Sequence, residues 1–336
     1  HDNLILKNRI REQSAYPRLI GKSHAISEIL DVVKMVAPTN TTILITGESG
    51  TGKEIVAEAI HDLSPRKKNT FIRINCAALP EQLIESELFG FEKGAFTGAI
   101  KRTRGKFEIS DKGSILLDEI SEMNLDLQAK LLRVIQEKEI MRIGSERPQK
   151  IDVRVIATSN LDLTEEVSKG NFREDLFFRL NIIPIHLPPL RQRMEDIPLL
   201  VESFMKQMCF DLGVPLKVLQ IGAMDALLQY HWPGNIRELQ NALERAIITS
   251  PGTVIKTEAF QFINIRREGK PEAGVNPVVS SQHNLSGKTI AEVEREMIYQ
   301  TLEKTGGNRT ESARVLGVTT RTLRNKLKLY ESESSA

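Results

Sequence analysis

Cysteine is nearly absent from this chain of 336 residues, which contains two, Cys76 and Cys209. They lie far apart and form no Cys-x-x-Cys pair, so neither a disulfide framework nor a zinc site is indicated. Aromatic residues make up 5% of the chain, and no apolar run approaches the roughly 18 residues of a membrane span. No secretory signal opens the sequence. We therefore expect a cytoplasmic protein with no membrane partner.

What is present is the composition of a globular protein, with 40% hydrophobic and 27% charged residues and a net charge of +2. At this length we expect two or three domains. Strand and helix patterns alternate from Leu19 onward, which predicts a parallel sheet covered by helices on both faces. The predicted strands are Ile43–Thr46, Phe71–Asn75, Ile115–Asp118, Val153–Thr158 and Ile182–Leu187.

One glycine-rich stretch organises this fold. The strand Ile43–Thr46 leads into Gly47-x-x-x-x-Gly52-Lys53, and helical spacing follows. Glycines let backbone amides turn toward a phosphate, the helix N-terminus adds partial positive charge, and Lys53 adds a full charge. A glycine-rich turn without a ligand is the alternative, which the complete spacing and the adjacent lysine disfavour. We predict that ATP is bound by Gly47, Glu48, Ser49, Gly50, Thr51, Gly52, Lys53 and Glu54.

Glu54 occupies the position at which Ser or Thr usually offers a hydroxyl to Mg²⁺. The metal must therefore be held in another way, and the apolar strand that ends in Asp118-Glu119 provides two carboxylates. Such pairs are common at strand ends, but together with the phosphate loop they favour hydrolysis of a nucleoside triphosphate. We expect Asp118 near Mg²⁺, Glu119 near the attacking water, and Lys53 at the phosphates.

Proline and glycine mark the later boundaries. After Pro188-Pro189 the sequence becomes helical from Ile197 to about Phe262, with breaks at Gly213-Val-Pro215 and Trp232-Pro-Gly234, which predicts a helical lid. The predicted domains are a linker helix (1–16) from a regulatory domain that is missing or upstream, an α/β ATPase subdomain (17–192), the lid (193–265), a flexible linker (266–287), a small helical domain (288–331) and a tail (332–336).

The small helical domain has the pattern of a helix-turn-helix. An apolar first helix (Ile290 to Leu302) ends at Gly306-Gly307, a second covers Thr310–Leu316, and a third, capped by Thr319 or Thr320, is basic. A basic helix is often only a solvated face, but behind this turn pattern we expect it to enter the major groove of DNA. The first helix would pair two modules on a palindromic site. Candidate DNA contacts are Thr319, Thr320, Arg321, Arg324, Asn325 and Lys328.

The segment Glu87-Leu-Phe-Gly-Phe-Glu-Lys-Gly-Ala-Phe-Thr-Gly-Ala99 resembles the signature of sigma-54-dependent transcriptional activators, the bacterial enhancer-binding proteins of the AAA+ ATPase class. The resemblance runs from about Arg18 to Tyr330 and includes Glu54 in the phosphate loop. It implies an α/β AAA+ fold, with a parallel five-stranded P-loop sheet and an α-helical lid, and a small all-α Fis-type helix-turn-helix domain. One difference is Phe91, where the family usually has histidine, and it affects contacts beside the signature.

Within this segment, six residues suit a mobile loop, which we call the contact loop (Gly94–Ala99). Glycines at both ends allow large backbone changes, and Phe96 offers an apolar contact. A glycine-rich turn with a core phenylalanine is the alternative from the pattern alone. The resemblance implies instead that the loop engages sigma-54 when the nucleotide state changes. The residues assigned to this contact are Gly94, Ala95, Phe96, Thr97, Gly98 and Ala99.

The resemblance also assigns roles to single residues. It implies that Asn160 senses the γ-phosphate, that Asn75 holds Glu119 until the partner is sensed, and that Arg237 contacts the nucleotide. It places Arg173 and Arg179 across a subunit interface, where an arginine acting in trans spreads the charge of the transition state. A surface salt bridge is the alternative for each of these arginines. If both act in trans, the active species is a ring of identical subunits, which we expect to be a hexamer.

Together these expectations describe the ATPase and DNA-binding portion of a sigma-54-dependent response regulator or related activator. ATP and Mg²⁺ would bind between ring subunits, and hydrolysis would move the contact loop against sigma-54, remodelling a closed promoter complex into an open one. One alternative is a DNA-binding repressor on an AAA+ scaffold, against which the intact contact loop argues. Another is an AAA+ remodeller of replication or proteolysis, which the terminal helix-turn-helix disfavours.

Overall fold

The computed structural model describes residues 19–78, 80–261, 297–299, 301–302 and 308–333. Its contacts divide the chain into two compact units, one within residues 1–270 and one within residues 271–336. The predicted linker helix (1–16), the predicted flexible linker (266–287) and the last three residues of the tail lie outside the described residues. In the described part of the chain, no helix is long and apolar enough to cross a membrane.

Eleven strands and twelve α-helices are named here in chain order. The strands are β1 (Ile43–Thr46), β2 (Phe71–Asn75), β3 (Gly90–Phe91), β4 (Thr103–Arg104), β5 (Ser114–Asp118), β6 (Glu139–Ile140), β7 (Gln149–Lys150), β8 (Arg154–Ser159), β9 (Ile183–His186), β10 (Val218–Leu219) and β11 (Val254–Ile255). The helices are α1 (His24–Val36), α2 (Lys53–Asp62), α3 (Glu81–Phe89), α4 (Lys106–Ile109), α5 (Leu125–Glu137), α6 (Leu163–Ser168), α7 (Glu174–Leu180), α8 (Ile197–Asp211), α9 (Ile221–Gln229), α10 (Asn235–Thr249), α11 (Arg309–Val315) and α12 (Thr320–Glu333).

The larger unit is built around one parallel sheet, whose strand order is β2-β5-β8-β1-β9. The predicted five-stranded parallel sheet is confirmed, and each strand lies within one residue of its expected bounds. β8 is buried along its whole length, because helices cover both faces of the sheet. The carboxyl ends of all five strands meet at one edge, which is where ligands bind in open α/β sheets.

Alternate residues of each strand pack on opposite faces of this sheet. On β5, Leu116 joins the apolar core formed with α1 and α2, whereas Ile115 and Leu117 join the core formed with α5 and α7. The helices begin at capping side chains: Ser23 accepts a hydrogen bond from an amide of α1, and Asn124 accepts one from an amide of α5. Apolar side chains on both faces of β5 therefore fix the strand that ends in Asp118 between two cores.

Three short strand pairs were not predicted from the sequence. β3 pairs with β4 and β6 pairs with β7, both antiparallel, and β10 pairs with β11 inside the lid. Each of these strands has two residues, which is too short for an alternating apolar pattern. The β3–β4 pair brackets residues 92–102 and therefore brings the two ends of the contact loop together.

The lid is helical, as predicted, and has its own core around Trp232. Its helices α8, α9 and α10 are separated where the sequence breaks at Gly213 and at Trp232-Pro233-Gly234. Trp232 is fully buried, and its Nε1 donates to the Leu227 carbonyl at 2.9 Å. Leu200 and Leu243 belong to the same cluster. The turn that follows Trp232 sets the start of α10 and hence the position of the residues that face the phosphate loop.

In the second compact unit, α11 and α12 form the predicted helix-turn-helix. Gly317, with a φ of 68°, lies in the turn between them. Thr319 rather than Thr320 caps α12, because its Oγ1 accepts a hydrogen bond from the Thr322 amide at 3.2 Å. Ile290, Val293 and Gly306-Gly307 lie outside the described residues. The core of this unit consists of Ile298, Ala313, Leu323, Leu327 and Tyr330.

Candidate functional site

The phosphate loop connects β1 to α2 at the carboxyl edge of the sheet. Gly47, Gly50 and Gly52 have φ angles of 145°, 77° and 101°. A Cβ at Gly47 would lie 2.6 Å from the Leu187 carbonyl oxygen, and one at Gly50 would lie 2.5 Å from the Gly234 carbonyl oxygen. Side chains are therefore excluded by contact as well as by backbone conformation. The loop ends at the N-terminus of α2, an arrangement that binds phosphate.

Lys53 is buried beneath this loop. Its Nζ donates to the carbonyl oxygens of Gly47, at 2.7 Å, and Glu48, at 3.0 Å. Burial lowers the pKa of the ammonium group, and the negative charges of Asp118 and Glu119 act in the opposite direction. The cation is thus fixed between the loop and the two carboxylates, where it can contact the terminal phosphates of a nucleotide.

Asp118 ends β5, and the strands on both sides hold its carboxylate. Asn75, opposite Asp118 in the register of β2, donates from Nδ2 to Oδ2 at 3.3 Å. Thr158 on β8 donates from Oγ1 to Oδ1. The resemblance had implied that Asn75 holds Glu119. In the structure Asn75 contacts Asp118 instead, because the register places that residue opposite, and Glu119 follows in a left-handed conformation with a φ of 56°.

Asn235, the first residue of α10, ties the lid to the phosphate loop. It is fully buried, and its Oδ1 accepts a hydrogen bond from the Leu190 amide at 2.8 Å. Its Nδ2 donates to the Ser49 carbonyl at 3.0 Å and to the Glu48 carboxylate at 3.1 Å. Glu48 also accepts two hydrogen bonds from Arg191, at 2.6 and 2.8 Å, and that contact holds the pKa of Glu48 below its usual value.

Two arginines add further contacts to the loop from the lid side. Arg193 is buried, and its Nη2 donates to the Thr51 carbonyl at 2.7 Å. Burial lowers the pKa of Arg193, with the Asp196 carboxylate acting against the shift. Arg237, a predicted nucleotide contact, donates to Ser49 Oγ at 3.3 Å. Sequence reasoning missed Arg193, Asn235 and Thr158, although Asn235 belongs to the Trp-Pro-Gly-Asn stretch that marks the lid.

A cleft of about 250 Å³ opens between the loop and the lid. Part of its lining is polar and charged, and part consists of aliphatic and aromatic side chains, a division that suits the phosphates and the base of a nucleotide. The polar lining comprises Ser49, Gly50, Thr51, Gly52, Lys53, Glu54, Asp118, Glu119, Arg193, Arg237 and Gln240, and the apolar lining comprises Leu19, Ile20, Ile55, Leu200, Phe204 and Ile236.

The residues of this cleft also fit a magnesium ion that arrives with the nucleotide. In the described part of the chain, no group of three or more His, Cys, Asp or Glu residues forms a metal cage. In phosphate sites Mg²⁺ is instead held by one or two carboxylates, the phosphates and water. Asp118 and Glu119 beside the phosphate loop are such a donor set, and Glu54 lines the same cleft.

Arg179 lies away from this cleft. It lines a separate hollow with Thr41 and Thr42, which precede β1, whereas the phosphate loop follows β1. A strand of four residues spans about 13 Å. Arg179 is therefore at the opposite edge of the sheet from the phosphate loop of its own subunit.

Arg173 and Asn160 also make local contacts outside the lining of the cleft. Arg173 forms a bidentate ion pair with Asp175, at 2.7 and 3.0 Å, which lowers the pKa of Asp175 and raises that of Arg173. Asn160 follows β8, and its Oδ1 accepts a hydrogen bond from Ser121 Oγ at 3.5 Å. Lys53, Asp118, Glu119 and Arg237 thus line one cleft, whereas Arg173 and Asn160 do not line it. Asn160 nevertheless follows Ser159, whose carbonyl accepts a hydrogen bond from the Gly47 amide of the phosphate loop at 3.3 Å.

The contact loop projects from the β3–β4 pair. Gly94 and Gly98 have φ angles of 84° and 108°, and a Cβ at either would have no atom within 4 Å. Phe96 and Thr97 are exposed, with 45% of Phe96 accessible. Glycine is required here by backbone conformation and not by crowding, which suits a loop that changes shape.

The base of the contact loop is fixed by neighbouring segments. Arg142, after β6, donates to Glu92 at 2.8 Å and to Glu108 at 2.7 Å, and the side chains of Arg142 and Glu108 are largely buried. A Cβ at Gly144 would lie 2.8 Å from the Cβ of Ala95, so the β6–β7 connection packs closely against the loop. The loop therefore joins a rigid base to a protruding middle.

The DNA-binding candidates lie on and before α12. Arg324 and Asn325 are exposed, whereas Leu323 and Leu327 on the same helix are buried, so α12 presents a polar face. Thr319 is exposed and Thr320 half-buried. The side chains of Arg321 and Lys328 are outside the described part of the chain. A recognition helix requires such a polar face behind a two-helix turn.

A parallel sheet with a phosphate loop at its carboxyl edge and a helical lid tied to that loop defines an AAA+ P-loop protein. Residues 19–186 match the family described as Sigma-54 interaction domain, residues 191–273 match AAA+ ATPase lid domain, and residues 289–330 match Bacterial regulatory protein, Fis family. The chain belongs to the sigma-54-dependent transcriptional activators, and the resemblance drawn from the sequence is thereby confirmed.

Similar proteins cover nearly all of the chain. The transcriptional regulatory protein FlbD of Caulobacter vibrioides is 47% identical over 322 residues, which span 93% of this chain and 70% of that protein. The transcriptional regulatory protein ZraR of Salmonella typhimurium is 47% identical over 309 residues, 92% of this chain and 68% of that protein. The crystal structure of NtrX from Brucella abortus with ADP has a TM-score of 0.69 and 32% identity, covering 97% of this chain and 73% of that one.

Proposed function

We propose that this chain hydrolyses ATP in a ring of its own copies and thereby remodels sigma-54 RNA polymerase from the closed to the open promoter complex, while its helix-turn-helix binds enhancer DNA. The observation that carries the proposal is that Lys53, anchored to the phosphate loop, lines the same cleft under the lid as the Asp118-Glu119 pair. NtrX of Brucella abortus, with the same fold, was crystallised with ATP and with ADP.

In this proposal the phosphate loop binds the triphosphate through its amides, and Lys53 contacts the terminal phosphates. Asp118 is the residue that would hold Mg²⁺ arriving with the nucleotide, and the ion would neutralise phosphate charge. In the described part of the chain, nothing donates a hydrogen bond to the Glu119 carboxylate, which leaves it free to orient a water for in-line attack. Arg237 contacts the bound nucleotide from the lid, because it lines the cleft beside Ser49.

The position of Arg179 supports assembly into a ring. Because it lies at the edge of the sheet opposite its own phosphate loop, it can reach a nucleotide only in a neighbouring subunit. Arg173 would have to exchange its pairing with Asp175 for the phosphate of that neighbour. Such a guanidinium supplied in trans typically accelerates hydrolysis by about 10³- to 10⁵-fold. A hexamer remains our expectation for the ring.

The exposed middle of the contact loop is the proposed contact with sigma-54. Phe96 supplies apolar area, Thr97 can form a hydrogen bond, and the flanking glycines permit displacement. The exposed side chains Arg324 and Asn325 on α12 are the proposed DNA contacts in the second unit, together with Thr319 and Thr320 and the basic residues Arg321 and Lys328.

In vitro transcription from a sigma-54 promoter tests the proposal. Open complexes should form with sigma-54 polymerase and ATP, and should not form with a non-hydrolysable analogue. Thr97→Ala should retain ATP hydrolysis and lose open-complex formation, whereas Thr253→Ala, at an exposed threonine of the lid, is the matched control. If the wild-type chain binds the enhancer and ATP without opening the promoter, the proposal fails and the repressor alternative gains support.

A further inference from the structure

One buried hydroxyl joins the two carboxylate residues of the cleft. Thr158 lies on β8, next to the end of β5, and none of its surface is accessible. Its Oγ1 donates a hydrogen bond to Asp118 Oδ1 and accepts one from the Glu119 amide at 3.0 Å. A hydroxyl has one proton to donate and can accept at the same time, so both interactions are compatible.

The two bonds fix different properties of the carboxylate pair. Asp118 Oδ1 is held by Thr158 and Oδ2 by Asn75, so the plane of that carboxylate is set from both neighbouring strands. Glu119 has a φ of 56° and a ψ of 51°, a left-handed conformation that is unfavourable for a residue with a Cβ. The bond from its amide to Thr158 stabilises this conformation and thereby the direction of the Glu119 side chain.

We infer that Thr158 is a positioning residue for ATP hydrolysis, which links the orientation of Asp118 to the backbone conformation of Glu119. The inference rests on the proposed ATPase function and adds to it a residue that does not itself line the cleft. With its plane set by both neighbouring strands, Asp118 would hold Mg²⁺ in one position relative to the phosphates, and a Glu119 with a fixed backbone would keep the attacking water in line.

Valine has nearly the volume of threonine and no hydroxyl. Thr158→Val would therefore preserve the packing of β8 while leaving the partly buried Glu119 amide without its acceptor and Asp118 Oδ1 without its donor. Thr158→Ser restores the hydroxyl and removes a methyl group. Ser64→Ala is the control, because Ser64 follows α2 outside the cleft and also has a buried hydroxyl that both donates, to the His61 carbonyl at 2.7 Å, and accepts, from the Arg66 amide at 3.1 Å.

Steady-state hydrolysis by the full chain is measured first for the wild type and then for the three variants. We expect Thr158→Val to lower kcat by roughly 10- to 100-fold with KM for ATP changed less than about 2-fold, because the phosphate loop is untouched. The Mg²⁺ concentration needed for half-maximal binding of a fluorescent ATP analogue should rise. Amide hydrogen exchange of the peptide that contains Glu119 should become faster, a readout that needs no turnover.

Thr158→Ser should recover most of the lost kcat and of the exchange protection, and Ser64→Ala should match the wild type in kcat. A Thr158→Val variant with wild-type kcat, Mg²⁺ requirement and exchange overturns the inference. So does a defect that Thr158→Ser fails to repair, since that would indicate a packing role. Absence of hydrolysis by the wild type would instead contradict the proposed function, and the exchange and Mg²⁺ measurements would still decide the role of Thr158.

Discussion

The ring of Phe91 meets the ring of Phe96 edge-on, with the centroids 4.9 Å apart and the planes at 61°. Phe91 ends β3, and Phe96 lies in the middle of the contact loop, so the pair holds the middle of the loop against its base. An aromatic pair of this kind is worth about 0.5–1.5 kcal/mol beyond its buried area. The contact can therefore hold Phe96 at rest and still yield to an external partner.

Phe91→Ala should tighten the binding of this chain to sigma-54 by about 2- to 10-fold, because the internal competitor for Phe96 is removed. ATP turnover should not change, since Phe91 does not line the nucleotide cleft. Binding to labelled sigma-54 and ATPase activity are measured in parallel. Phe210→Ala, at an exposed phenylalanine of the lid, is the control. Weaker binding by Phe91→Ala would show that the pair presents Phe96 to the partner instead of withholding it.

Glu119→Gln should bind ATP as the wild type does and turn it over about 10²- to 10⁴-fold more slowly. Glutamine keeps the size of the side chain but lacks the carboxylate, which orients the attacking water and accepts a proton from it. Nucleotide affinity is measured with a fluorescent analogue, and turnover by phosphate release. Glu122→Gln, at an exposed residue in the turn after Glu119, is the control. Near-normal turnover in Glu119→Gln would remove Glu119 from the mechanism.

Asn235→Ala should destabilise the unit that contains the lid, by about 2–4 kcal/mol. It leaves the Leu190 amide and the Ser49 carbonyl without their partner, and it puts alanine at a φ of 53°. Asn235→Gly removes the same hydrogen bonds without the backbone strain, so it should be less destabilising by about 1 kcal/mol. Urea denaturation measures both. Equal losses in the two variants would mean that the left-handed conformation contributes nothing.

Acidification should destabilise the fold through His61. Burial lowers the pKa of this imidazole, whose Nδ1 lies 3.0 Å from Ser114 Oγ and whose ring stacks on Phe71. Because the unfolded chain takes up the proton near pH 6.5 and the folded chain does so only at lower pH, stability falls as pH decreases below about 6.5. Above that pH the imidazole is neutral in both states and has no effect.

His61→Phe should flatten this dependence while keeping the stack on Phe71. The readout is the slope of unfolding free energy against pH between pH 7.5 and 5, which is at most about 1.4 kcal/mol per pH unit for one proton. His231→Phe controls for the removal of an exposed histidine. An unchanged slope in His61→Phe would assign the acid sensitivity to other groups.

Arg324→Ala should weaken binding to the enhancer. If Arg324 contacts a phosphate, affinity falls equally for specific and unrelated DNA. The slope of log affinity against log salt concentration then decreases by about one. If it contacts a base, specific binding alone falls, by about 1–3 kcal/mol. Lys67→Ala, at an exposed lysine of the first unit, is the control. Unchanged affinity and unchanged salt dependence would remove Arg324 from the DNA interface.

Most of the fold could be predicted from local sequence patterns. Short apolar runs identified the five strands of the sheet, and glycine spacing located the phosphate loop between β1 and α2. Asp118 and Glu119 were identifiable because they follow an apolar strand. The two-residue strands of the β3–β4, β6–β7 and β10–β11 pairs were missed, since so short an element has no periodicity to detect.

The sequence by itself determined the phosphate loop after β1, the carboxylate pair at the end of β5 and the glycine-flanked contact loop, because each is defined by residues that are neighbours along the chain. Only the tertiary structure decided which side chains hold those residues. Thr158 lies 39 positions from Glu119, and Asn235 lies 186 from Ser49. Their pairing depends on strand register and on how the lid packs, and Asn75 meets Asp118 for the same reason. Which side chains form hydrogen bonds across a sheet depends on their distance in the folded structure, and the spacing of residues along the chain does not specify that distance.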